Sequence, residues 1–304
     1  MLQDRAVVSS HHLLSAFENA PVGMAVLTSA GVITACNVAM GRLLERPVPD
    51  MIGGTFLEVT HPDDLDEARR RCALMQDPQA VPGVAPVVRH ECRFVLPDQR
   101  IIWVSVSTSR VAETPERSAH LIMHIEDVSD RKRLEAELNH RALHDPLTGL
   151  ANRTLLAERM REVLSRRGRH ARVGHLFYLD LDGFKAVNDR FGHVAGDAVL
   201  TQLAERILAL LRAGDVAARL GGDEFAVLCD DTEQHHAGTI AERLRMAAAE
   251  PSVVDGSTIR LSATVGCCAT DHTDPTTLLR EADRRMYEGK RRGGRTIPHP
   301  RRAP

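Results

Sequence analysis

Two short acidic segments in the second half of the sequence carry the residues best suited to chemistry. Asp180 follows the apolar run 176–179 and precedes Gly183 and Lys185, where a predicted strand gives way to a predicted helix. Carboxylate oxygens are the ligands that Mg²⁺ prefers, and free amide groups at a helix N-terminus suit phosphate oxygens. This end of the strand is therefore predicted to hold a metal-bound phosphate.

The second acidic segment is the pair Asp223 and Glu224, directly after Gly221 and Gly222. Adjacent glycines between two strand-like segments predict a tight hairpin turn, which would hold both carboxylates at its edge. The two carboxylates repel each other unless a cation lies between them and Asp180. Taken alone, the segment is compatible with either a metal site or an acidic turn.

Length and composition limit the class of protein. A chain of 304 residues with 43% hydrophobic and 26% charged residues predicts two globular domains. Aromatic residues make up 3% and the net charge is −2, so neither nucleic acid nor an anionic membrane is an expected partner. The sequence has neither a signal-peptide pattern nor an apolar run of about 18 residues, so a cytoplasmic protein is expected.

The six cysteines form no C-x-x-C pair, which argues against a zinc or thioredoxin-like motif. We predict buried structural thiols. Cys267 and Cys268 are adjacent in an apolar stretch and are expected on opposite faces of a strand.

The first 127 residues predict a small antiparallel sheet with helices grouped in the middle. Strands are predicted at 22–28, 32–36, 88–96, 100–109 and 119–127, and helices at about 38–46 and 64–75. This order, with "VGMAVLTSAGVITACN", "HPDD" and "FVLPDQRIIWVSVS", resembles a PAS sensory domain over about residues 13–127. The resemblance implies an α+β domain for sensing or dimerisation, assigned here to 1–127; the sequence identifies no ligand for it.

The sequence disfavours two cofactors, flavin and haem, for this domain. In flavin photosensors the reactive cysteine follows an asparagine on a helix, whereas Cys92 lies in a predicted strand. His61, His90 and His124 could bind haem iron. However, His61 fits a turn before a helix, and the other two lie within predicted strands.

Residues 128–144 predict a polar helical linker in which Leu134 and Leu138 share one face. The linker is either a solvated connector or a dimerising helix that transmits a signal, and both remain open. Beyond it, helices are predicted at 154–166, 184–191, 196–212, 232–249 and 275–290, strands at 173–181 and 258–269, and a hairpin at 217–229. This alternation predicts an α/β domain over 145–304.

Four motifs in this domain, in order, resemble the GGDEF domain of diguanylate cyclases. They are "HDPLTGLANR" (144–153), "DLDGFKAVNDRFGHVAGD" (180–197), "RLGGDEF" (219–225) and "ADRRMYEGK" (282–290). The resemblance implies condensation of two GTP into cyclic di-GMP with release of two pyrophosphates. It also implies a fold like that of adenylyl cyclases and polymerase palms, with two Mg²⁺ or Mn²⁺ ions per active site.

The resemblance also implies roles for individual residues. The implied metal ligands are Asp180, the Leu181 carbonyl, Asp223 and Glu224, with Asp223 as the base toward the ribose 3′-hydroxyl. Asn188 and Asp197 match the guanine-reading pair, and an amide with a carboxylate suits guanine's acceptor and donors. His193 either lines this pocket or caps a turn. Lys185 and Lys290 match phosphate-binding positions.

One family position is displaced, and one regulatory motif is present. The arginine that usually follows Lys290 by four residues arrives one position late, as Arg295. Arg212 and Asp215 form R-x-x-D, with five residues between Asp215 and Gly221, the family's placement of the inhibitory product site. The Arg212 guanidinium can donate two hydrogen bonds to guanine or to a phosphate of the product. Arg243 is a candidate for a second contact with the product.

The leading hypothesis is a PAS-regulated diguanylate cyclase that works as a homodimer, because each GGDEF domain holds one GTP. Cyclic di-GMP is the expected feedback inhibitor. The alternatives are a degenerate GGDEF domain that acts as a non-enzymatic GTP or cyclic di-GMP receptor, and a PAS scaffold. The basic residues near the C-terminus are attributed to phosphate contacts and solvated surface rather than to nucleic-acid binding.

Overall fold

The computed structural model describes residues 10–76, 87–111, 119–165, 174–230, 234–270 and 274–291. The chain divides between Ala136 and Glu137 into two compact units. Each unit has its own hydrophobic core, so each is described by itself.

The first unit is built on a five-stranded antiparallel sheet. Its strands are β1 (Gly23–Thr28), β2 (Ile33–Cys36), β3 (Val88–Val95), β4 (Ile101–Val111) and β5 (His120–Asp127). Their order is β2-β1-β5-β4-β3. The helices are α1 (Ser10–Glu18), α2 (Val38–Leu44), α3 (Val48–Met51) and α4 (Leu65–Gln76), and α5 (Ser129–Leu143) follows the sheet and crosses the division. Alternate residues of a strand share one face of the sheet, and in β4 the residues of one face, such as Ile102, Val104 and Val106, are buried in the core.

Two features of the first unit differ from the sequence prediction. The helix predicted at 38–46 ends at Leu44, because Glu45 adopts φ 52° and Pro47 lies just beyond it. Helix α1 was not predicted. It is held by the fully buried Asn37, whose Nδ2 donates to the carbonyls of Phe17 and Val22, both at 3.0 Å.

The second unit is built on a four-stranded sheet with helices on both faces. Its strands are β6 (His175–Asp182), β7 (Val216–Gly221), β8 (Glu224–Cys229) and β11 (Ser262–Ala269), and β9 (Ser252–Val254) pairs with β10 (Ser257–Ile259) as a separate hairpin. The helices are α6 (Arg153–Ser165), α7 (Phe184–Phe191), α8 (His193–Leu210), α9 (Gln234–Ala249) and α10 (Pro275–Arg291). The strand order is β11-β6-β8-β7, and all three neighbouring pairs are antiparallel.

The two faces of this sheet pack against different helices. Helices α7, α8 and α9 cover one face, and α6 and α10 cover the other. Cys267 packs on the first face and Cys268 on the second, which confirms their predicted alternation. Five of the six thiols are buried and Cys72 is half-buried.

Two boundaries in the second unit correct the prediction. The strand predicted at 258–269 is two strands, because β10 pairs with β9 whereas β11 pairs with β6. The helix predicted from 196 begins at His193, directly after Gly192 reverses the chain with φ 83°.

Candidate active site

The turn between β7 and β8 fixes the acidic pair in space. Gly221 and Gly222 have φ values of 142° and 55°, a backbone region in which a side chain is strained. The pairing shifts register between Arg219 and Gly221, so the turn carries a bulge. Asp223 and Glu224 follow at once and are both half-buried.

Strand pairing brings the two acidic segments together. Asp180 lies directly opposite Glu224 in the β6–β8 pair, and the Leu181 amide donates to the Asp223 carbonyl at 3.3 Å. The Leu181 side chain is buried in the core, so this residue can offer only its backbone to a ligand. Four residues with predicted roles thus lie together at one end of the β6–β8 strand pair.

The Asp180 carboxylate accepts a hydrogen bond from the Lys290 ammonium on α10. Burial raises the pKa of Asp180; the Lys290 charge opposes that rise, and the Asp223 and Asp182 carboxylates add to it. Burial and the neighbouring Glu224 carboxylate likewise raise the pKa of Tyr178. The site thus concentrates negative charge in a desolvated place, the condition under which a cation is required.

Lys290 supplies a cation to this site. Within the described ranges, no three His, Cys, Asp or Glu side chains converge at metal-binding positions. The donor set nevertheless suits a hard divalent ion, because it consists of carboxylate oxygens whose mutual repulsion a bound cation relieves.

The residues predicted to read guanine lie at the α7–α8 turn. Asn188 is on α7, His193 is the first residue of α8, and Asp197 is exposed one turn later. A Cβ built on Gly196 would lie 1.9 Å from the Asn188 Oδ1, so only glycine leaves room for this amide. Lys185 is exposed in the first turn of α7. Arg295 lies outside the described residues.

The predicted product site begins where α8 ends. Arg212 extends its Nη2 to the Asp230 carbonyl at 2.7 Å, and its backbone amide donates to the Asp215 carboxylate at 3.3 Å. The Asp215 side chain is only 7% exposed. It lies beside Cys229. Burial, and after it the Asp215 charge, raises the pKa of the Cys229 thiol to about 12. Arg243 is exposed on α9.

Two supporting contacts were missed by the sequence analysis. Arg219 donates to the Gly222 carbonyl through Nε at 3.0 Å and Nη2 at 2.8 Å, and its Nη1 donates to Asp145 at 3.1 Å. Asp145 also accepts from the amide and hydroxyl of Thr148. The "HDPLTGLANR" motif thus braces the acidic turn. The sequence feature that could have revealed this turn is the Asp-x-x-Thr spacing of the motif, which is typical of a turn capped by a side chain.

The second missed contact concerns Asp182, two residues after Asp180. It accepts hydrogen bonds from the hydroxyls of Ser262 and Thr264 on β11, both at 2.9 Å. This carboxylate therefore ties the end of β6 to the neighbouring strand. No sequence signal links these residues, since the pairing depends on the register of β6 and β11.

The first unit contains a mainly apolar cavity of about 240 Å³ between the sheet and helix α4. His90 and Cys92 line it from β3. The His90 Nδ1 has no hydrogen-bond partner, and burial with the nearby Arg71 lowers the pKa of this histidine. Burial raises the pKa of Cys92 to about 12, so its thiol is protonated at neutral pH. His61 lies in a turn, where its Nδ1 accepts from the Asp63 amide at 3.3 Å.

Known families match both halves of the sequence. Residues 142–296 match the family described as diguanylate cyclase, GGDEF domain, and residues 11–128 match the PAS fold. The chain belongs to the GGDEF diguanylate cyclase family and carries a PAS domain ahead of the GGDEF domain. The predicted order and class of the two domains are therefore confirmed. Among the described residues, none of the helices is both long and apolar enough to span a membrane.

Individual relatives agree with this assignment. The chain is 42% identical over 163 residues to the bifunctional diguanylate cyclase/cyclic di-GMP phosphodiesterase MucR of Pseudomonas aeruginosa, covering 53% of this chain and 24% of that protein. It is 42% identical over 168 residues to diguanylate cyclase TpbB of Pseudomonas aeruginosa, covering 53% of this chain and 39% of that protein. The chain thus matches less than half the length of either relative.

A solved structure supports the fold of the second half. The coiled coil and GGDEF domain of DgcB from Caulobacter crescentus, in complex with c-di-GMP, aligns with a TM-score of 0.51 at 25% identity. The alignment covers 55% of this chain and 90% of that one.

Proposed function

We propose that this protein is an active diguanylate cyclase that condenses two GTP into cyclic di-GMP and releases two pyrophosphates. The observation that carries the proposal is the pairing of Asp180 with Glu224 at the glycine turn, with Lys290 against Asp180. Residues 145–304 form the catalytic domain, 128–144 the linker and 1–127 the sensory domain. A cytoplasmic location, where GTP is available, follows from this activity.

The roles of the acidic residues follow from their chemistry. Asp180, Asp223, Glu224 and the Leu181 backbone would hold Mg²⁺ or Mn²⁺, with two ions per site. Such ions, when bound, lower the pKa of an attacking hydroxyl and neutralise charge on phosphate oxygens. Asp223 accepts the proton of the ribose 3′-hydroxyl as that oxygen attacks the α-phosphate of the second GTP. Pyrophosphate leaves as the new phosphodiester bond forms.

The basic and amide residues bind the substrate. Lys290 exchanges its contact with Asp180 for a phosphate oxygen, and Lys185 contributes a second positive charge near the same strand end. The Asn188 amide and the Asp197 carboxylate match guanine's O6 acceptor and its N1 and N2 donors. Adenine has a donor at position 6, an acceptor at N1 and no amino group at position 2, so the site selects GTP.

The decisive test is the reaction itself. We expect purified full-length protein, incubated with GTP and Mg²⁺ and analysed by nucleotide chromatography, to form cyclic di-GMP. Asp223→Asn should lower turnover about 10²-fold or more, because an amide neither neutralises a divalent cation nor accepts the proton. Glu205→Gln, at an exposed carboxylate on α8, is the matched control. Nucleotide binding without turnover in the wild type would favour the receptor alternative instead.

We also propose that the sensory domain regulates catalysis through β3. One face of this strand lines the cavity with His90 and Cys92. On its other face, Glu91 accepts hydrogen bonds from Arg131 and pairs with Lys132, both on α5 and both at 2.5 Å. A small apolar ligand that shifts β3 would therefore disturb the start of the linker helix.

Product feedback is proposed to act through Arg212, with Asp215 and Arg243. Arg212 can offer a forked donor to cyclic di-GMP, and bound product would hold two domains where their GTP sites cannot meet. Arg212→Ala should weaken product binding by about 1.5–3 kcal/mol with little change in maximal velocity. Product titration at fixed GTP tests this. Superimposable inhibition curves for the wild type and the variant would contradict it.

A further inference from the structure

The last turn of the linker helix carries two histidines on one face. His140 and His144 are four residues apart, and their rings stack with centroids 4.0 Å apart and planes inclined by 21°. The nitrogen lone pairs lie in these nearly parallel planes, so the exposed His140 ring has to turn out of the stack before both lone pairs reach one ion. Two histidines at this spacing on a helix can bind one transition-metal ion, as in the H-E-x-x-H motif of zinc enzymes. The pair lies in the segment H-R-A-L-H, outside the acidic site and without a role in the proposed reaction.

The hydrogen bonding of His144 prepares its other nitrogen for a ligand. Its Nδ1 lies 3.0 Å from the His140 carbonyl oxygen, which can only accept, so Nδ1 carries the proton. Nε2 therefore holds the lone pair. Metal-binding histidines usually donate their second ring N–H to a carbonyl or carboxylate in this way, which fixes the tautomer and the ring orientation.

The surrounding charge also favours a cation. A helix C-terminus carries a partial negative charge. Helix α5 ends at Leu143, so His140 lies in its last turn and His144 directly follows it. Arg141, which follows His140 in the sequence, is paired with Glu137 at 2.5 Å. His140 is exposed and His144 half-exposed, so an ion can reach both imidazoles from solvent.

We propose that His140 and His144 together bind one divalent transition-metal ion that prefers imidazole ligands, such as Zn²⁺ or Cu²⁺. Throughout the described part of the chain, no third His, Cys, Asp or Glu joins the pair, so water completes the coordination. Structural zinc sites use four protein ligands, so this two-ligand site is exchangeable.

The test uses the full chain with Zn²⁺ alone, titrated by calorimetry in excess Mg²⁺ so that the acidic site does not compete. We expect His140→Gln and His144→Gln each to weaken the tightest Zn²⁺ equivalent at least tenfold. The double variant should lose no further equivalent, because both residues serve one ion. His124→Gln, at an exposed histidine on β5, is the control and should leave this equivalent intact.

A second measurement separates metal binding from a purely structural role. With one equivalent of Cu²⁺, the electron paramagnetic resonance spectrum should report two nitrogen ligands in the wild type and fewer in each single variant. Circular dichroism should report the same helix content in all variants without metal. Zinc affinity and copper spectra unchanged by both substitutions would overturn the proposal and leave His144 as a helix cap. Because neither readout depends on turnover, the result is independent of the proposed cyclase activity.

Discussion

Among single residues, the candidate site depends on side chains outside the predicted set of ligands. Arg219 joins the Gly222 carbonyl of the acidic turn to Asp145, and both charged side chains are nearly buried. Burial alone would raise the pKa of Asp145, but the hydrogen bonds from Thr148 and Arg219 outweigh it and lower that pKa. The Asp145 carboxylate therefore stays ionised to a lower pH than an unpaired aspartate, and its pairing with Arg219 fixes the turn to the "HDPLTGLANR" segment until the pH falls through that lowered pKa.

We expect Arg219→Ala to reduce the free energy of unfolding of the second unit by about 2 kcal/mol, the usual worth of hydrogen bonds to a charged group. Turnover should fall as well, because the turn that presents Asp223 loses its brace. Chemical denaturation and the GTP assay measure the two effects. Arg161→Ala, at an exposed arginine on α6, is the control.

A double-mutant cycle with Asp145→Asn checks that the effect arises from this pair. Residues in direct contact give non-additive changes in stability, whereas independent ones add. Additive losses for Asp145→Asn and Arg219→Ala would mean that the brace does not hold the turn.

At the scale of elements, the position of α10 decides whether Lys290 reaches Asp180. A Cβ built on Gly266 of β11 would lie 2.2 Å from the Ala282 carbonyl oxygen and 2.4 Å from the Met286 nitrogen. Both atoms belong to the backbone of α10, so no side chain can turn aside to make room. The glycine therefore lets the helix approach the sheet closely, and it sets the depth at which Lys290 enters the site.

Gly266→Ala should consequently push α10 away from the sheet. We expect a loss of about 1–3 kcal/mol, the usual cost of overpacking a core, and a lower turnover because Lys290 is displaced. Gly238→Ala is the matched control. Its Cβ meets no atom within 4 Å, and alanine in the helix α9 should stabilise the fold by about 0.5–1 kcal/mol. Thermal unfolding of both variants provides the comparison, and an equal gain in stability at both positions would contradict the close approach.

For the whole protein, the proposed reaction would need two copies, because each GGDEF domain is proposed to present one GTP. The linker helix α5 has no buried residue, and its Leu134 and Leu138 are 56% and 57% exposed on a shared face. Two turns of such a stripe are too short for a stable coiled coil alone, but they can align two copies that other surfaces hold together.

We expect the double substitution Leu134→Glu with Leu138→Glu to weaken self-association without unfolding the chain, since both side chains are exposed. Specific activity should then fall at low protein concentration and recover as the concentration rises. Sedimentation velocity and concentration-dependent turnover measure this. Glu135→Gln is the control on the same helix. Concentration-independent activity equal to that of the wild type would argue against a role for this stripe.

The acidic segments at the ends of β6 and β7 could be located from the sequence, because short motifs encode strand ends and turns locally. It predicted the acidic turn, the alternation of Cys267 and Cys268, and the order of the two domains. The contacts between distant segments could not be predicted in this way. Lys290 contacts Asp180 across 110 residues, and Arg219 contacts Asp145 across 74. These contacts depend on strand register and on how closely a helix approaches a sheet, and neither is set by the neighbours of a residue in the chain.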